Sequence, residues 1–265
     1  MVPLPEGNRG VTMMEELLNE KILILDGAMG TMVQTYQLEE RDFRGERCGD
    51  SAIDLLGNNE VLNITKEDVI LEIHRKYLEA GSDIIETNTF SANSISQRDY
   101  GLQEFAREMN IKAAMIARKA ADEAMENGGV KRFVAGAIGP TNKTLSSSED
   151  VDDPSFRSIT FDELRESYYE QVQALIDGGV DIILIETIFD VLNAKAAIVA
   201  TLDAFEEKGV EIPLMISVTF IQEGSDRTVF GQTVDAFWAT VAHARPISVG
   251  INCGLGAKSI VANLS

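Results

Sequence analysis

The order of apolar and polar positions divides the chain into short apolar runs separated by longer segments with helical spacing. After residue 65, Val69, Ile73 and Tyr77 recur every fourth position, which predicts an amphipathic helix. The apolar runs are rich in β-branched residues and predict strands at residues 22–25, 83–85, 133–137, 181–185, 213–218 and 247–251. Apolar strands that alternate with helices predict an α/β fold with a parallel sheet covered on both faces.

Capping residues mark where several of the predicted helices begin and end. Side chains suited to N-caps stand at Thr65 with Asp68, Thr160 with Glu163, Asp190, and Thr233. Glycines suited to helix ends stand at positions 81, 128, 129, 178, 179 and 209. The helices are therefore expected to lie between these two sets of positions.

An internal repeat indicates that one strand–helix unit occurs more than once. Residues 80–87 (AGSDIIET) recur loosely as residues 178–187 (GGVDIILIET), with two extra residues before the second Glu-Thr pair. Because side chains alternate faces along a strand, Glu86 and Glu186 are expected on equivalent faces. This repeat, in a chain without a Gly-x-Gly-x-x-Gly motif after any strand, favours a (β/α)8 TIM-type barrel over a doubly wound sheet.

The number of predicted strands falls short of a complete barrel, which has eight strands, whereas the pattern predicts six. Long insertions at residues 41–63 and 142–158 use part of the length. Either two strands escape the pattern or the barrel is incomplete, and we favour the second interpretation. The predicted organisation is a flexible tail at residues 1–15 and a barrel domain at residues 16–265 that lacks its last strands.

The charge balance narrows the range of partners. Lys and Arg number 23 against 43 Asp and Glu, which gives a net charge of −20. Nucleic acids and anionic membranes are bound mainly through basic residues, so neither is expected as a partner. The apolar runs are far shorter than the roughly 20 residues of a membrane span, and residues 1–21 lack the pattern of a secretory signal. A cytoplasmic location is therefore predicted.

Small polar clusters follow nearly every predicted strand, at the end where βα barrels carry their reactive groups. Three of these clusters contain an acid, namely Asp26, Glu86 and Glu186. A half-buried carboxylate needs a partner, which the amine of a ligand could supply, although Asp26 could instead hold the glycine-rich turn beside it. Gly27 and Gly30 leave backbone amides open to a ligand carboxylate. Together these features indicate an amino-acid binding site.

The two cysteines have unlike surroundings, which argues against a disulfide. Cys253 follows Asn252 at the end of the last predicted strand and has three interpretations: a small buried thiol, a nucleophile or a metal ligand. A nucleophile needs a basic neighbour, and His74 and His243 both fall in predicted helices away from the strand ends. Cys48 is interpreted as an ordinary loop thiol.

The strand-end segments together resemble a known family. The chain closely resembles the amino-terminal homocysteine-binding module of cobalamin-dependent methionine synthase, from about residue 16 to residue 265. The segments that carry the resemblance are ILDGAMGTMVQ (24–34), DFRGERC (42–48), GNNEVLNIT (57–65), AGSDIIETNTFSAN (80–93), VAGAIGPTNKTLS (134–146), ITFDEL (159–164), GGVDIILIETIFDVLNAKAA (178–197) and GINCGLG (250–256). DFRGER, GNN and GPTNKT are more similar to this enzyme than to the betaine- or S-methylmethionine-dependent relatives.

The resemblance implies a zinc-dependent homocysteine S-methyltransferase barrel. In that family zinc binds the homocysteine sulfur as a thiolate, and the methyl group comes from methylcobalamin held by a separate module. A thiol with a pKa near 8.5 is mostly protonated at neutral pH, so a bound cation favours the nucleophilic thiolate. The implied partners are homocysteine and the cobalamin- and folate-binding modules of a parent enzyme.

Carried over by position, the resemblance assigns a role to each predicted site residue. Asp26 and Glu186 are expected to bind the substrate ammonium, and Gly27 with its loop neighbours the substrate carboxylate. Cys253 is expected to be the first zinc ligand. The residues expected to line the pocket are Thr87, Thr141 and Asn252.

One part of the family pattern is absent from the sequence. The family supplies two further zinc ligands as adjacent cysteines in a Gly-Gly-Cys-Cys-Gly segment, and this sequence contains no such segment. Cys253 alone gives the expected zinc site one of its three protein ligands. The alternative function is therefore a non-catalytic amino-acid-binding barrel or an inactive fragment.

Overall fold

Parallel strands alternate with helices throughout the computed structural model, which describes residues 9–222 and 224–262. The strands form one five-stranded sheet in which each strand pairs in parallel with the next along the chain. They are β1 (Ile84–Glu86), β2 (Phe133–Ile138), β3 (Ile182–Ile188), β4 (Leu214–Val218) and β5 (Ser248–Ile251). The predicted α/β class is confirmed, and this sequential parallel order fits an incomplete TIM-type barrel.

Helices connect the strands and cover one face of the sheet. The α-helices are α1 (Arg9–Glu20), α2 (Met29–Gln34), α3 (Glu40–Arg44), α4 (Leu62–Thr65), α5 (Glu67–Ala80), α6 (Ser94–Gln97), α7 (Ala106–Gly128), α8 (Phe161–Asp177), α9 (Val191–Lys208), α10 (Val234–Val241) and α11 (Ala257–Ala262). Short 3-10 helices lie at Asn59–Val61, Arg98–Tyr100, Gln103–Phe105 and Ala242–Ala244. Across the described ranges, no helix is long and apolar enough to span a membrane.

The first predicted strand, residues 22–25, is reduced to a single bridge, which corrects the predicted number of strands. Leu25 pairs in parallel with Ile84 of β1. The pairing does not continue to the residues before Leu25, because the backbone N–H of Ile24 donates to the carboxylate of Asp83 at 3.0 Å and not to a backbone carbonyl. The described residues therefore form five strands and one bridged edge segment rather than six strands.

Helix α1 packs against the amino end of the inner face of the sheet. Its Met14 is 1% exposed and lies among Ile84, Phe133 and Ile182. Residues 9–15 of the tail predicted at residues 1–15 lie in α1, which this apolar contact holds against the sheet. Residues 1–8 of that predicted tail lie outside the described part of the chain, and the barrel boundaries at residues 16–265 stay a prediction.

The carboxyl end of the same face is polar. Side chains two residues apart share a face of a strand, so Glu86 lies on the face of Ile84, and Glu186 on the face of Ile182. The apolar residues at the amino end pack with α1, whereas the acids at the carboxyl end have no such cover. This arrangement leaves a polar cavity at the strand ends.

Most of the predicted helix boundaries are confirmed. Thr160, Asp190 and Thr233 each accept backbone N–H groups at the first turns of α8, α9 and α10. The prediction for Thr65 is wrong, because Thr65 is the last residue of α4 and its hydroxyl donates to the carbonyl of Val61. Left-handed glycines follow α5, α7 and α9, at Gly81, Gly129 and Gly209, and Gly178 follows α8.

Candidate functional site

A cavity of about 980 Å³ opens where the strands end. Its lining includes every residue that the sequence assigned to a site, namely Asp26, Gly27, Glu86, Thr87, Thr141, Glu186, Asn252 and Cys253. These residues are distant in sequence and meet because the carboxyl ends of parallel strands point to one rim. The structure thus brings the predicted residues together, whereas their roles stay predictions.

A bulge near the end of β3 positions the acid of this strand, Glu186. Ile185 pairs with Ile216 of β4, and Ile188 pairs with Val218, so two β3 residues lie opposite one β4 residue. Those two residues are Glu186 and Thr187, and Thr187 has a left-handed backbone with φ of 56°. A β-branched residue rarely adopts this conformation, and such strain concentrates at functional sites.

A hydrogen-bond network holds the Glu186 carboxylate in place. Its Oε2 accepts from the Thr187 hydroxyl at 3.2 Å and from the Asn252 amide at 3.3 Å. The same Asn252 amide donates to the Thr187 hydroxyl at 2.7 Å, and its carbonyl oxygen accepts from the Ser217 hydroxyl at 2.9 Å. The ends of β3, β4 and β5 are therefore joined around the carboxylate of Glu186, a residue that is 9% exposed.

Asp26 and Glu86 form the opposite acidic wall. Both carboxylate oxygens of Asp26 accept the backbone N–H of Glu86, each at 3.1 Å. The Glu86 carboxylate itself has no hydrogen-bond partner among the residues that the structure describes. Asp26 is thus oriented by the end of β1, whereas the Glu86 side chain is free to meet a ligand.

Burial is the main cause of a raised pKa at each of the three acids. Burial raises the pKa of Asp26 from 3.8 to about 7, with a further contribution from the charge of Glu186 and an opposing one from the Glu86 N–H. Burial likewise raises the pKa of Glu186 to about 7. Burial, then the charges of Glu186 and Asp26, raise the pKa of Glu86 well above its ordinary value. The described lining residues include no Lys, Arg or His, so a cationic ligand would meet no competing side chain.

The turn before α2 provides a different kind of contact. The backbone N–H of Gly27 has no acceptor among the described residues. A Cβ added at Gly27 would lie 3.2 Å from the hydroxyl oxygen of Tyr77, which itself donates to the carbonyl of Ala28 at 3.3 Å. A side chain at position 27 would therefore crowd Tyr77, while glycine leaves the amide open to an anionic group.

The hydroxyls of the two threonines predicted to line the pocket form hydrogen bonds within the protein. The Thr87 hydroxyl accepts the backbone N–H of Ala137 at 3.0 Å and contacts the Thr89 hydroxyl at 2.6 Å. The Thr141 hydroxyl accepts from the Asn193 amide at 2.9 Å and donates to the carbonyl of Lys143 at 3.1 Å. Both residues line the cavity, and these contacts make them supports of its wall.

The family model for homocysteine S-methyltransferase matches residues 23–265 of the chain. The chain belongs to the homocysteine S-methyltransferase family. The match spans all the residues of the cavity described above, and it classes the chain with methyltransferases that act on homocysteine. The family resemblance stated from the strand-end segments is confirmed at this level.

Solved structures give the same fold. The chain is similar to the homocysteine methyltransferase MmuM from Escherichia coli in its metallated form, with a TM-score of 0.73 and 21% identity over 95% of this chain and 81% of that chain. The oxidized form of the same enzyme gives a TM-score of 0.74, with 21% identity over 97% of this chain and 81% of that chain. The apo form gives a TM-score of 0.65, with 19% identity over 94% of this chain and 78% of that chain. At these identities the likeness concerns the fold, and it supports the incomplete barrel.

Cys253 lies at the cavity with an unusual backbone. It is exposed, which rules out the buried-thiol interpretation, and it has a left-handed φ of 58°. Within residues 9–222 and 224–262, no group of three or more His, Cys, Asp and Glu side chains is placed to hold a metal ion. A catalytic zinc usually has three protein ligands. The described residues therefore do not fit the zinc site that the resemblance implies, beyond one thiol.

The remaining cysteine and histidine predictions concern residues outside the cavity lining. Cys48 is buried, and burial raises the pKa of its thiol. His74 is fully buried in α5, and burial lowers its pKa to about 4. Neither residue lines the cavity, in agreement with the prediction that His74 is remote from the strand ends.

Sequence reasoning missed one buried acid of the cavity. Glu60 is 8% exposed, lines the cavity, and accepts the backbone N–H of Ser91 at 2.9 Å. Burial raises its pKa. Glu60 lies in the segment that the pattern treats only as an insertion, and the sole signal was its place in the GNNEVLNIT motif.

Proposed function

We propose that this chain binds homocysteine in the strand-end cavity and presents its sulfur for methylation to methionine, as the homocysteine-binding module of a methionine synthase. The observation that carries the proposal is the group of three acids, Asp26, Glu86 and Glu186, in a cavity whose described lining has no basic side chain. The family to which the chain belongs supplies the substrate class.

The two ends of an amino acid have matching groups in the cavity. Asp26 and Glu186 would bind the ammonium, because burial disfavours the charge of both carboxylates and a cation would compensate for it. The open backbone N–H of Gly27 would bind the carboxylate. With both ends held, the side chain of the amino acid would extend into the cavity with its sulfur on the side of Cys253.

The contribution of this chain to the reaction is binding and orientation. Methylation requires that the thiol lose its proton to solvent, after which the sulfur forms a bond to the methyl carbon. The bond between that carbon and the donor breaks at the same time, and its electron pair stays on the donor. Fixing the amino acid at two points limits the positions of the sulfur and lowers the entropic part of the barrier. Because the described residues offer zinc one thiol ligand, no step of the proposal depends on the metal.

The methyl donor we propose is methylcobalamin on a separate module, with a folate-binding module as a further partner. The support is the similarity of DFRGER, GNN and GPTNKT to the cobalamin-dependent enzyme. Of these segments, GNN and GPTNKT supply residues to the cavity lining, including Gly57, Asn59 and Asn142. The cavity of about 980 Å³ is also far larger than one amino acid, which leaves room for a donor to approach.

Calorimetry with homocysteine tests the proposal. We expect micromolar binding by the chain and a loss of at least tenfold in affinity for Asp26→Asn and for Glu186→Gln, because each removes a charge that faces the ammonium. Asp235→Asn, which replaces an acid in α10 outside the cavity lining, is the matched control and should bind normally.

The same titrations, with an assay of methyl transfer, distinguish the proposed function from the alternative of a non-catalytic binding barrel. Homocysteine binding that is insensitive to a chelator, in a chain that transfers no methyl group when methylcobalamin and zinc are supplied, would favour a non-catalytic amino-acid-binding barrel. Absence of binding by homocysteine and by methionine would disprove the proposal.

A further inference from the structure

The three acids of the cavity differ in how their carboxylates are satisfied. Asp26 accepts the backbone N–H of Glu86, and Glu186 accepts from Thr187 and Asn252. The Glu86 carboxylate has no donor among the described residues, although it lies at the same rim. Glu86 is therefore the acid with the least compensation for a negative charge.

The charges of the cavity and of an amino acid do not balance if all three acids are ionised in the empty site. An amino acid brings one ammonium, and the described lining brings no Lys, Arg or His. An uncompensated buried carboxylate takes up a proton because its charged form is poorly solvated and is repelled by the other acids. The shifted pKa of Glu86, with burial as the main cause and its two neighbours adding to it, agrees with this.

We propose that Glu86 is a further substrate-binding residue, which holds a proton while the cavity is empty and releases it to solvent when the ammonium of the amino acid enters. The inference rests on the proposed function and adds that binding is coupled to proton release. In the ligand-bound state Glu86 is then a carboxylate with two negatively charged oxygens near the ammonium. In the empty cavity it is a carboxylic acid, in which one oxygen carries the proton.

The groups that interact with Glu86 are defined. Asp26 and Glu186 act on it through their charges, and Glu86 in turn contributes to the raised pKa of Tyr77, for which burial is the main cause. Glu60 and Asp99 are the other acids that line the cavity. Asp99 accepts from the Asn142 amide at 2.6 Å, and Glu60 from the backbone of Ser91. Neither acid is among the groups whose charges act on Glu86.

Calorimetry with methionine in two buffers tests the coupling. Methionine has the same ammonium and carboxylate as homocysteine but no thiol, so any proton released comes from the protein. The dependence of the binding heat on the ionisation heat of phosphate and Tris gives the number of protons released at pH 7. We expect net proton release at pH 7, and an affinity for methionine that rises with pH by up to tenfold per pH unit for each proton released.

The Glu86→Gln variant keeps the size of the side chain and removes the titrating group. We expect it to release fewer protons than the unmodified chain and to lose part of the pH dependence of affinity, with the remainder coming from Asp26 and Glu186, whose pKa values are about 7. Glu206→Gln, an exposed acid of α9, is the matched control and should release the full number. A merely structural role for Glu86 would change affinity without changing the number of protons.

The outcomes distinguish this inference from the proposed function. Methionine binding without proton release by the unmodified chain overturns the coupling and leaves the amino-acid site standing. Equal proton release by Glu86→Gln and the unmodified chain assigns the proton elsewhere and also overturns it. If neither methionine nor homocysteine binds, both the coupling and the proposed function are wrong.

Discussion

Glu186, for which we propose a role in binding, illustrates how a buried acid of the cavity lowers the stability of the protein. Its pKa rises from 4.5 to about 7 on folding because the carboxylate is buried, so the folded state binds the proton more tightly than the unfolded state. The contribution of Glu186 to the free energy of unfolding therefore falls as the pH rises from about 4.5 to about 7, and it is constant above that range. Ionised Glu186 therefore destabilises the empty cavity at pH 8.

Removing that charge should stabilise the chain. We expect Glu186→Gln to raise the free energy of unfolding by about 1–3 kcal/mol at pH 8 and by much less at pH 5. Urea unfolding at the two pH values measures the difference, with Glu206→Gln as a control that should show no pH-dependent gain. Equal effects of Glu186→Gln at pH 5 and pH 8 would contradict the assigned linkage.

Single residues also show which parts of the site the sequence could predict. Asp26, Glu86 and Glu186 were predictable because each directly follows an apolar run, and strand ends meet at one rim. Glu60 was not, because it lies in a three-residue 3-10 helix within an irregular segment that has no periodicity. The left-handed backbone of Thr187 was not predictable either, since it follows from the pairing of β3 with β4 and not from its residue type.

At the scale of elements, the start of α9 connects helix and loop through one side chain. The buried carboxylate of Asp190 accepts the N–H groups of Leu192 at 2.9 Å and of Asn193 at 3.3 Å in α9. It also accepts the N–H groups of Leu145 at 2.7 Å and Ser146 at 3.0 Å. Asp190 therefore caps the helix and fixes the start of the insertion at residues 142–158.

Loss of this carboxylate should cost more than loss of an ordinary cap. We expect Asp190→Ala to lower the free energy of unfolding by about 2–4 kcal/mol, because it leaves buried N–H groups of both segments without acceptors. Thr233→Ala at the start of α10 removes a cap with one backbone contact and should cost about 1 kcal/mol. Chemical denaturation compares the two, and amide exchange should rise at residues 145 and 146 only in Asp190→Ala. Similar losses for both variants would contradict the double role.

The helix caps also show which element boundaries can be predicted from the local sequence. Thr160, Asp190 and Thr233 precede helices of 17, 18 and 8 residues whose start is set by a local side-chain contact, so the local sequence was sufficient. Thr65 has the same residue type but ends a preceding one-turn helix. The strand at residues 22–25 was shortened by a carboxylate distant in sequence, that of Asp83, which a local pattern does not include.

For the whole molecule, the described sheet has two open sides. On one side Ile22 and Ile24 are 85% and 53% exposed beside β1, and on the other side Val249 of β5 is 37% exposed. Open strand edges with exposed apolar side chains favour pairing between molecules. The net charge of −20 opposes such contacts through repulsion that acts over about 10 Å at 0.1 M salt.

Salt should therefore increase self-association of the chain. We expect sedimentation velocity to show a larger fraction of dimers and higher oligomers at 0.3 M than at 0.02 M NaCl, because screening removes repulsion while the apolar edges stay exposed. The double variant Ile22→Lys with Val249→Lys should reduce association at both salt concentrations, since lysine at an edge disfavours strand pairing. Val151→Lys is the matched control, because Val151 is 95% exposed but lies in a loop away from the sheet. A chain that stays monomeric at both salt concentrations, or a Val151→Lys variant that reduces association equally, would show that the sheet edges do not drive it.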